Sequence, residues 1–448
     1  MAPNKSPGSG YVVVEFKLAA PRPHCSNLRP PRNSQEMRVL IIAGVLLVIA
    51  AAAYSHSIPR AGCAISINQN LPDPQALVIN PQGTFDIFGF FLPQSGDIVT
   101  FDVGQEVLFA CPGATLNVTG TAELLANCVD GTTFQQADGT QHDFSQLGCT
   151  KLPFHTYQDT GRLCGRPDQI YPIYAFGFEL SNGDFYNLYE VCFDPANGNT
   201  RYSVFTQTPE IRGYQSGYPR PSSFIQGPFY YDGFDIYQAY TRDNQTATIA
   251  NIVGSMDLAL QYVNQSFDSS FYLARGHLAA KADYVYGAHQ RATFWYLNVA
   301  PQWQTFNEAN WAQLEYDCRT YAGQRSSPLK VFTGTHGQSV LPDINGDLQP
   351  LYLGLDPNNN AIVHVPEIFW KVLYDPQTQE GVAFVGSNNP YLENPPGFIK
   401  CTDVCDQLTW LLWDPKNVTS GLSYCCEFNE LAQTVLEIPE LTVSGLLT

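Results

Sequence analysis

Between Arg275 and Glu315 the chain sets out an Arg-Gly-His, two separate asparagines and a carboxylate, in that order. His277 is a candidate general base, because an imidazole with its ordinary pKa of about 6.5 can take a proton from water near neutral pH. Asn298 offers an amide that can position the base or a phosphate. Asn307 offers an amide oxygen, which a hard cation such as Mg²⁺ accepts as a ligand. Glu315 can hold cation-bound water by hydrogen bonds, and Arg275 can stabilise negative charge. Hydrolysis of a phosphodiester needs an activated water, charge stabilisation on the phosphoryl oxygens and help for the leaving oxygen. These residues can supply all three, with activity rising as His277 gives up its proton. The chain has no G-x-S-x-G elbow, P-loop, H-E-x-x-H or dinucleotide fingerprint, which disfavours hydrolases and kinases of those kinds.

The elements that must carry these side chains follow from the local pattern. An apolar strand is expected after His277, ending in Asn298, with a turn at Pro301-Gln302. A helix then opens at Asn307 and passes Glu315, so that Asn307, Trp311 and Glu315 at i, i+4 and i+8 share one broad face. Phe294, Tyr296 and Val299 supply an apolar platform beneath. Trp303 and Trp311 read as packing residues. His289, placed in a turn between the expected strands, reads as surface or structural, as do His336 and His364.

Upstream, Val99, Phe101 and Val103 alternate with polar residues as in a half-buried strand. Strands are expected at 170–178, 186–193, 202–206, 330–333, 368–373 and 381–386. One helix is expected across 246–263, where Ile249, Val253, Met256, Leu260 and Val263 recur at helical spacing. Mixed strands and helices without a βαβ rhythm indicate an α+β fold.

The run from Arg275 to Asp283 (RGHLAAKAD), the Asn298-Val-Ala-Pro-Gln302 segment and the Asn307-x-x-x-Trp311-x-x-Leu-Glu315 segment resemble the DNA/RNA non-specific endonucleases. These are the ββα-metal, or His-Me finger, nucleases. The wording is most similar to arthropod secreted nucleases and double-stranded ribonucleases, and Val365–Lys371 also resembles a strand of the family. The likeness covers roughly residues 170–400. It implies a ββα-metal domain with a mixed or antiparallel sheet. By position it makes His277 the general base, Asn307 the direct Mg²⁺ ligand (with Mn²⁺ as the alternative) and Glu315 the holder of metal-bound water. Asn298 becomes a positioning residue and Arg275 a charge stabiliser. Family members use a further upstream arginine on the scissile phosphate, for which Arg242 is the nearest candidate. Many also carry Asp before Arg-Gly-His, where this chain has Ala274.

Charge sets a constraint on this reading. The first 57 residues hold six of the 23 Lys and Arg and two of the 41 Asp and Glu. That leaves 17 against 39, a net charge of about −22 for the remainder. Nucleic acid attracts positive surfaces, so Arg275, Lys281, Arg291 and Arg319 must form a local cationic cleft on an acidic body.

Val39–Ala53 is an apolar run of 15 residues after Met37-Arg38. That is short for a membrane span, and its small-residue tail fits a signal peptide. The expected organisation is an upstream extension at 1–36, a signal peptide at 37–57, a disulfide-stapled β-rich domain at 58–165 and the nuclease domain at 166–448. Leaving out Cys25, eleven cysteines fit five bridges and one odd thiol, in preference to zinc at the Cys401–Cys405 and Cys425–Cys426 groups. Asn117, Asn244, Asn264 and Asn417 are glycosylation acceptors.

The expected protein is a secreted, Mg²⁺-dependent endonuclease of low sequence specificity on RNA, double-stranded RNA and DNA, acting in a gut lumen or body fluid. It would need no small-molecule cofactor and form no stable membrane association. The alternatives are a catalytically silent nuclease-fold protein that binds or takes up nucleic acid and, for location, a signal-anchored membrane protein.

Overall fold

The computed structural model describes residues 62–392 and 397–448; the expected extension and signal peptide lie outside them. The described chain opens with a short antiparallel pair, Cys63–Ser66 with Ile98–Phe101. Val99 and Phe101 of that pair are buried as the alternation predicts, whereas Val103 lies beyond the strand and is exposed. A five-stranded antiparallel sheet follows in the spatial order β1 (Leu77–Ile79), β2 (Glu106–Ala110), β3 (Glu123–Asp130), β4 (Thr133–Gln135) and β5 (Gln141–Asp143). Phe109, Phe134 and Phe144 pack together beneath it. Bridges Cys63–Cys128 and Cys111–Cys149 staple this part.

The chain then lays down β6 (Thr156–Arg166), β7 (Gln169–Glu179), β8 (Phe185–Asp194) and β9 (Asn199–Gln207) as an antiparallel meander. It leaves the sheet for α1 (Arg242–Val253), α2 (Met256–Tyr262) and β10 (Leu273–His277). A connection holding α3 (Gly287–Ala292) leads to β11 (Val299–Trp303), and α4 (Gln304–Asn307) and α5 (Asn310–Gln324) come next. It returns as β12 (Leu329–His336), β13 (Ile368–Asp375), β14 (Glu380–Ser387), α6 (Phe428–Thr434) after β15 (Ser423–Glu427), and β16 (Gly445–Leu446). Among the described residues the large sheet has nine strands in the order β15-β14-β13-β12-β9-β8-β7-β6, with β16 parallel to β14. The fold is α+β.

Strand alternation sorts the large sheet's side chains onto two covered faces. Phe369, Leu373, Val382 and Phe384 join the core shared with α5, β1–β5 and the connection after His277. Trp370, Val372, Ala383 and Val385 join the opposite core under α6. Lys371 falls between Trp370 and Val372, so the pleat turns it to the α5 face, where its Nζ lies 5.6 Å from the Trp311 ring. The first core runs from Cys63 to Leu447, so the described residues form one compact unit. The expected division at 165/166 falls at the end of β6, a strand hydrogen-bonded along β7.

Three local expectations are corrected. The single helix over 246–263 is two, because Gly254 takes a left-handed φ of 74° that ends α1, and the Ser255 side chain then caps α2. The stretch from His277 to Asn298 is not a strand but a connection containing α3. Its apolar residues are buried on every side, so their pattern carries no strand period. Pro301-Gln302 lies within β11, and the helix expected from Asn307 is broken. Asn307 ends α4, Ala309 departs from helical geometry, and α5 begins at Asn310.

Bridges Cys164–Cys192, Cys401–Cys426 and Cys405–Cys425 complete five, with Cys318 free and buried. The paired C-terminal cysteines leave no thiolates for zinc. No helix among the described residues is long and apolar enough to cross a membrane.

Candidate active site

The antiparallel pair β10–β11 sets the register of the site, with Arg275 opposite Pro301 and His277 opposite Val299. Asn298 stands at the junction and is fully buried. Its Oδ1 accepts from the Ser203 hydroxyl and the Ala279 N–H, both at 2.9 Å. Its Nδ2 donates to the Ala279 and Thr293 carbonyls at 2.8 and 2.9 Å. These four bonds occupy both donors and both acceptor positions. Asn298 therefore locks the chain leaving His277 to the chain entering β11, and has no polar valence left for a phosphate.

His277 packs against Phe224 and Phe294, with ring centroids 5.3 and 4.9 Å away. Its Nε2 is buried without a hydrogen-bond partner among the described residues. Burial, with the charges of Arg220 and Lys281, pushes the imidazole down to about 3. The base is thus neutral across the whole range in which an ordinary histidine titrates.

Arg275 sits in a box of aromatic rings. Its Nε donates to the Tyr296 hydroxyl at 3.0 Å, and its guanidinium lies 5.0–5.6 Å from the rings of Phe224, Tyr237, Tyr240 and Tyr296. Phe224 touches both Arg275 and His277, which places the two on one wall.

A second cluster lies where α5 faces β13. Glu315, half-buried on α5, makes no hydrogen bond among the described residues. Burial and the nearby Asp283 carboxylate raise it to about 7, against the pull of Lys371 and Arg319. Arg319 pairs with Asp283 at 3.1 Å, and Lys371, itself buried, donates to the Thr333 hydroxyl at 2.6 Å. The segment 277–283 links this cluster to His277. Asn307 comes from α4, which is pinned to the start of β10 by Gln304 N–H on the Tyr272 carbonyl at 2.9 Å. Its Nδ2 donates to Gln304 Oε1 at 2.9 Å, while its Oδ1 accepts nothing among the described residues.

Other expected residues stand elsewhere. The terminal nitrogens of Arg242 are spent on the carbonyls of Asn264, Ser266, Phe267 and Ser269, and its guanidinium covers the Tyr272 ring at 4.1 Å. Arg291 acts electrostatically on His155 and Tyr218, and Arg319 is paired. His289 is not in a surface turn but buried in α3 against Phe90, Phe178 and Tyr286. His336 bonds Glu437 and His364 bonds the Ala361 carbonyl. Trp303 and Trp311 are buried packing residues, and all four glycosylation candidates are exposed.

Two residues were not singled out from the sequence. Arg220 sits in a loop without periodicity; its flanking Pro219 and Pro221 were the only cue. The Gln302 side chain is fully buried with neither amide atom partnered among the described residues, and it lies against Gly276, where a Cβ would come within 2.2 Å of its Oε1.

Residues 171–431 match the family described as DNA/RNA non-specific endonuclease. The chain belongs to that family. A salivary endonuclease of Lutzomyia longipalpis is 28% identical over 386 residues, covering 84% of each chain. The salivary protein Tsal2A of Glossina morsitans morsitans is 24% identical over 86% of this chain and 94% of its own. A salivary endonuclease of Culex quinquefasciatus is 28% identical over 64% of this chain and 71% of its own. The solved EndoG/EndoGI complex matches with a TM-score of 0.33 and 18% identity, over 58% of this chain and 87% of that one.

An endonuclease of this family implies a divalent metal, and the residues present fit one. The Asn307 amide oxygen and the Glu315 carboxylate each lack a partner among the described residues, and oxygen donors of this kind suit a hydrated hard cation.

Proposed function

We propose that this protein is a secreted Mg²⁺-dependent endonuclease that hydrolyses phosphodiester bonds of RNA, including double-stranded RNA, and of DNA with low sequence specificity. Its expected task is the digestion of dietary or foreign nucleic acid. The observation that carries the reading is His277: a neutral imidazole whose buried Nε2 has no hydrogen-bond partner among the described residues, flanked by the cations Arg220 and Lys281. A neutral ring has a lone pair for water's proton; the two cations lower its basicity but draw in the anionic phosphate, whose charge offsets theirs once bound. On this reading Arg220, Arg275 and Lys281 are the positive charges that attract the phosphate to an otherwise acidic body.

In the proposed reaction His277 takes the proton of the attacking water as its oxygen bonds to phosphorus. The P–O ester bond breaks, and the leaving oxygen takes a proton from solvent. Arg275 and Arg220 hold the phosphoryl oxygens, and Glu315 orients water by accepting its hydrogen bonds. A divalent cation held by Asn307 directly and Glu315 through water would stabilise the negative charge that develops on the phosphate. Backbone contacts of this kind read phosphate rather than base, which supports low sequence specificity, and double-stranded RNA can be read by shape.

The test is cleavage of double-stranded RNA, single-stranded RNA and DNA with Mg²⁺, with Mn²⁺ and with EDTA. Cutting that needs the metal and extends to all three polymers supports the proposal. Undiminished cutting in EDTA would overturn the metal assignment, and no cutting of any polymer would overturn the enzyme reading.

A further inference from the structure

Residues 62–170 precede the stretch that matches the endonuclease family, and several of their side chains reach into the nuclease part; Gln75 and Asn68 are the ones that hold the segment after β9. Gln75 is buried; its Nε2 donates to Gln215 Oε1 at 3.0 Å and its Oε1 accepts from the Ala288 N–H at 3.1 Å. Asn68 accepts from the Ser216 N–H at 3.2 Å and donates to the Tyr214 carbonyl at 3.5 Å. The backbone is equally close, since a Cβ on Gly213 would fall 1.9 Å from the Gly96 carbonyl oxygen.

The gripped segment runs through Gln215 toward Arg220. Gln215 Oε1 also accepts from the Gly287 N–H at 2.7 Å. Two donors on one amide oxygen fix its orientation, because a flip would set an NH₂ against the Gly287 N–H. The Gln215 backbone donates to the Val285 carbonyl at 2.7 Å and accepts from Gln290 Nε2 at 2.8 Å. Three residues on, the buried Tyr218 ring lies where a Cβ on Gly287 would come 2.3 Å from it, and its carbonyl accepts from Lys281 Nζ at 2.5 Å. Arg220 follows between two prolines. Ile225 closes the segment, donating to the Phe294 carbonyl at 2.9 Å and accepting from the Tyr296 N–H at 3.0 Å.

We infer that the N-terminal β-rich part is a positioning clamp for residues 213–225, in which Gln75 sets the placement of Arg220 and of the Tyr218–Lys281 contact beside His277. This rests on the reading that Arg220 binds the substrate phosphate. Gln75 touches no substrate and acts through the segment it holds. A displacement of about 1 Å at a charged reacting group is enough to slow a reaction by roughly 100-fold, so loss of the clamp shows in turnover.

The test is a double-mutant cycle in the full-length chain. Gln75→Met keeps the side chain's length and packing but removes both hydrogen bonds. It is compared with wild type in kcat and KM on double-stranded RNA and DNA, alone and in an Arg220→Ala background, with circular dichroism and thermal unfolding as the check on folding. The expected result is a fall in kcat/KM of about tenfold or more in the wild-type background and less than about twofold once Arg220 is gone. An equal fall in both backgrounds, with Arg220→Ala itself impaired, overturns the clamp alone. Full activity in Arg220→Ala overturns the phosphate reading and the clamp with it. Should Gln75→Met not fold, Asn68→Ala at an exposed position takes its place in the cycle: a smaller fall that depends on Arg220 supports the clamp, and one that does not overturns it.

Discussion

Replacing Asn298 by alanine should loosen the site without touching any group that meets substrate. Four hydrogen bonds of 2.8–2.9 Å are lost inside a fully buried environment. At a net worth of about 1 kcal/mol each they amount to about 4 kcal/mol, a large part of the roughly 5–15 kcal/mol that holds a domain together. At about 2 °C per kcal/mol for a chain of this size, Tm should fall by about 8 °C. Turnover should drop with it, because the Ala279 and Thr293 anchors on either side of the site are released, while KM changes little. Asn298→Asp adds a test of sign. The new oxygen would face the Ala279 and Thr293 carbonyls, so the folded state favours the protonated acid and raises its pKa above the unfolded value. Stability of that variant is then fullest below about pH 4 and is lost as pH rises through the raised pKa. Thermal unfolding of both variants from pH 4 to 8, with kcat and KM at each pH, reads this out. A wild-type Tm and kcat for Asn298→Ala, or an Asn298→Asp variant that gains stability as pH rises, would refute the reasoning.

Further outcomes separate the charged residues and the buried histidines. Arg220→Ala should lower kcat/KM by about 10²–10³-fold, the usual loss for a group that stabilises transition-state charge. Arg242→Ala should lower Tm and leave kcat/KM near wild type, because its guanidinium ties down the 264–269 loop; steady-state kinetics on one DNA substrate compares the two. Burial depresses His155 to about 4 and His289 to about 3, so both stay neutral in the fold while the unfolded chain takes up protons below about pH 6.5. Stability should be fully present above that pH and fall on acidification, by about 1 kcal/mol per pH unit for His289 alone. Urea unfolding of wild type and His289→Phe at pH 7 and pH 5 should show the smaller acid loss in the variant. Cys318 is free and buried, so a thiol-alkylating reagent followed by peptide mapping should label Cys318 only after unfolding; rapid labelling of Cys318 in the native protein would contradict its burial.

The sequence showed those parts of the molecule that rest on local pattern. The strands around 170–178, 186–193, 368–373 and 381–386 were visible because alternation in a sheet covered on both faces leaves dense apolar runs with a clear beginning and end. Five bridges and one odd thiol followed from counting, though the pairing did not. The order His277, Asn298, Asn307, Glu315 was legible as chemistry, and the family likeness gave the roles.

What stayed hidden depends on tertiary contact. The connection after His277 is buried on polar and apolar positions alike, partly by the N-terminal β-rich part, so its apolar residues keep no period that would separate helix from strand. The break at Ala309 takes Asn307 off the helix that carries Glu315, which i, i+4 counting cannot foresee. Arg242 was nearest by sequence position, yet Arg220 is the residue whose charge reaches His277, delivered by a loop that is held by Gln75 and Gln215. Lys371 shows the reverse. Once the register of β13 is known, its presence on the α5 face near Glu315 follows from the pleat alone.

The central claim is that His277, kept neutral by burial and its cationic neighbours, is the base of a metal-dependent phosphodiesterase. Single-turnover cleavage of double-stranded RNA by wild type and His277→Ala, between pH 5 and 9 in Mg²⁺, tests it most directly. The account predicts a variant slower by about 10²–10⁴-fold at every pH, still folded and still binding substrate. It also predicts a wild-type rate that shows no inflection at the ordinary histidine pKa of about 6.5 attributable to His277. Cleavage by the variant at the wild-type rate would contradict it.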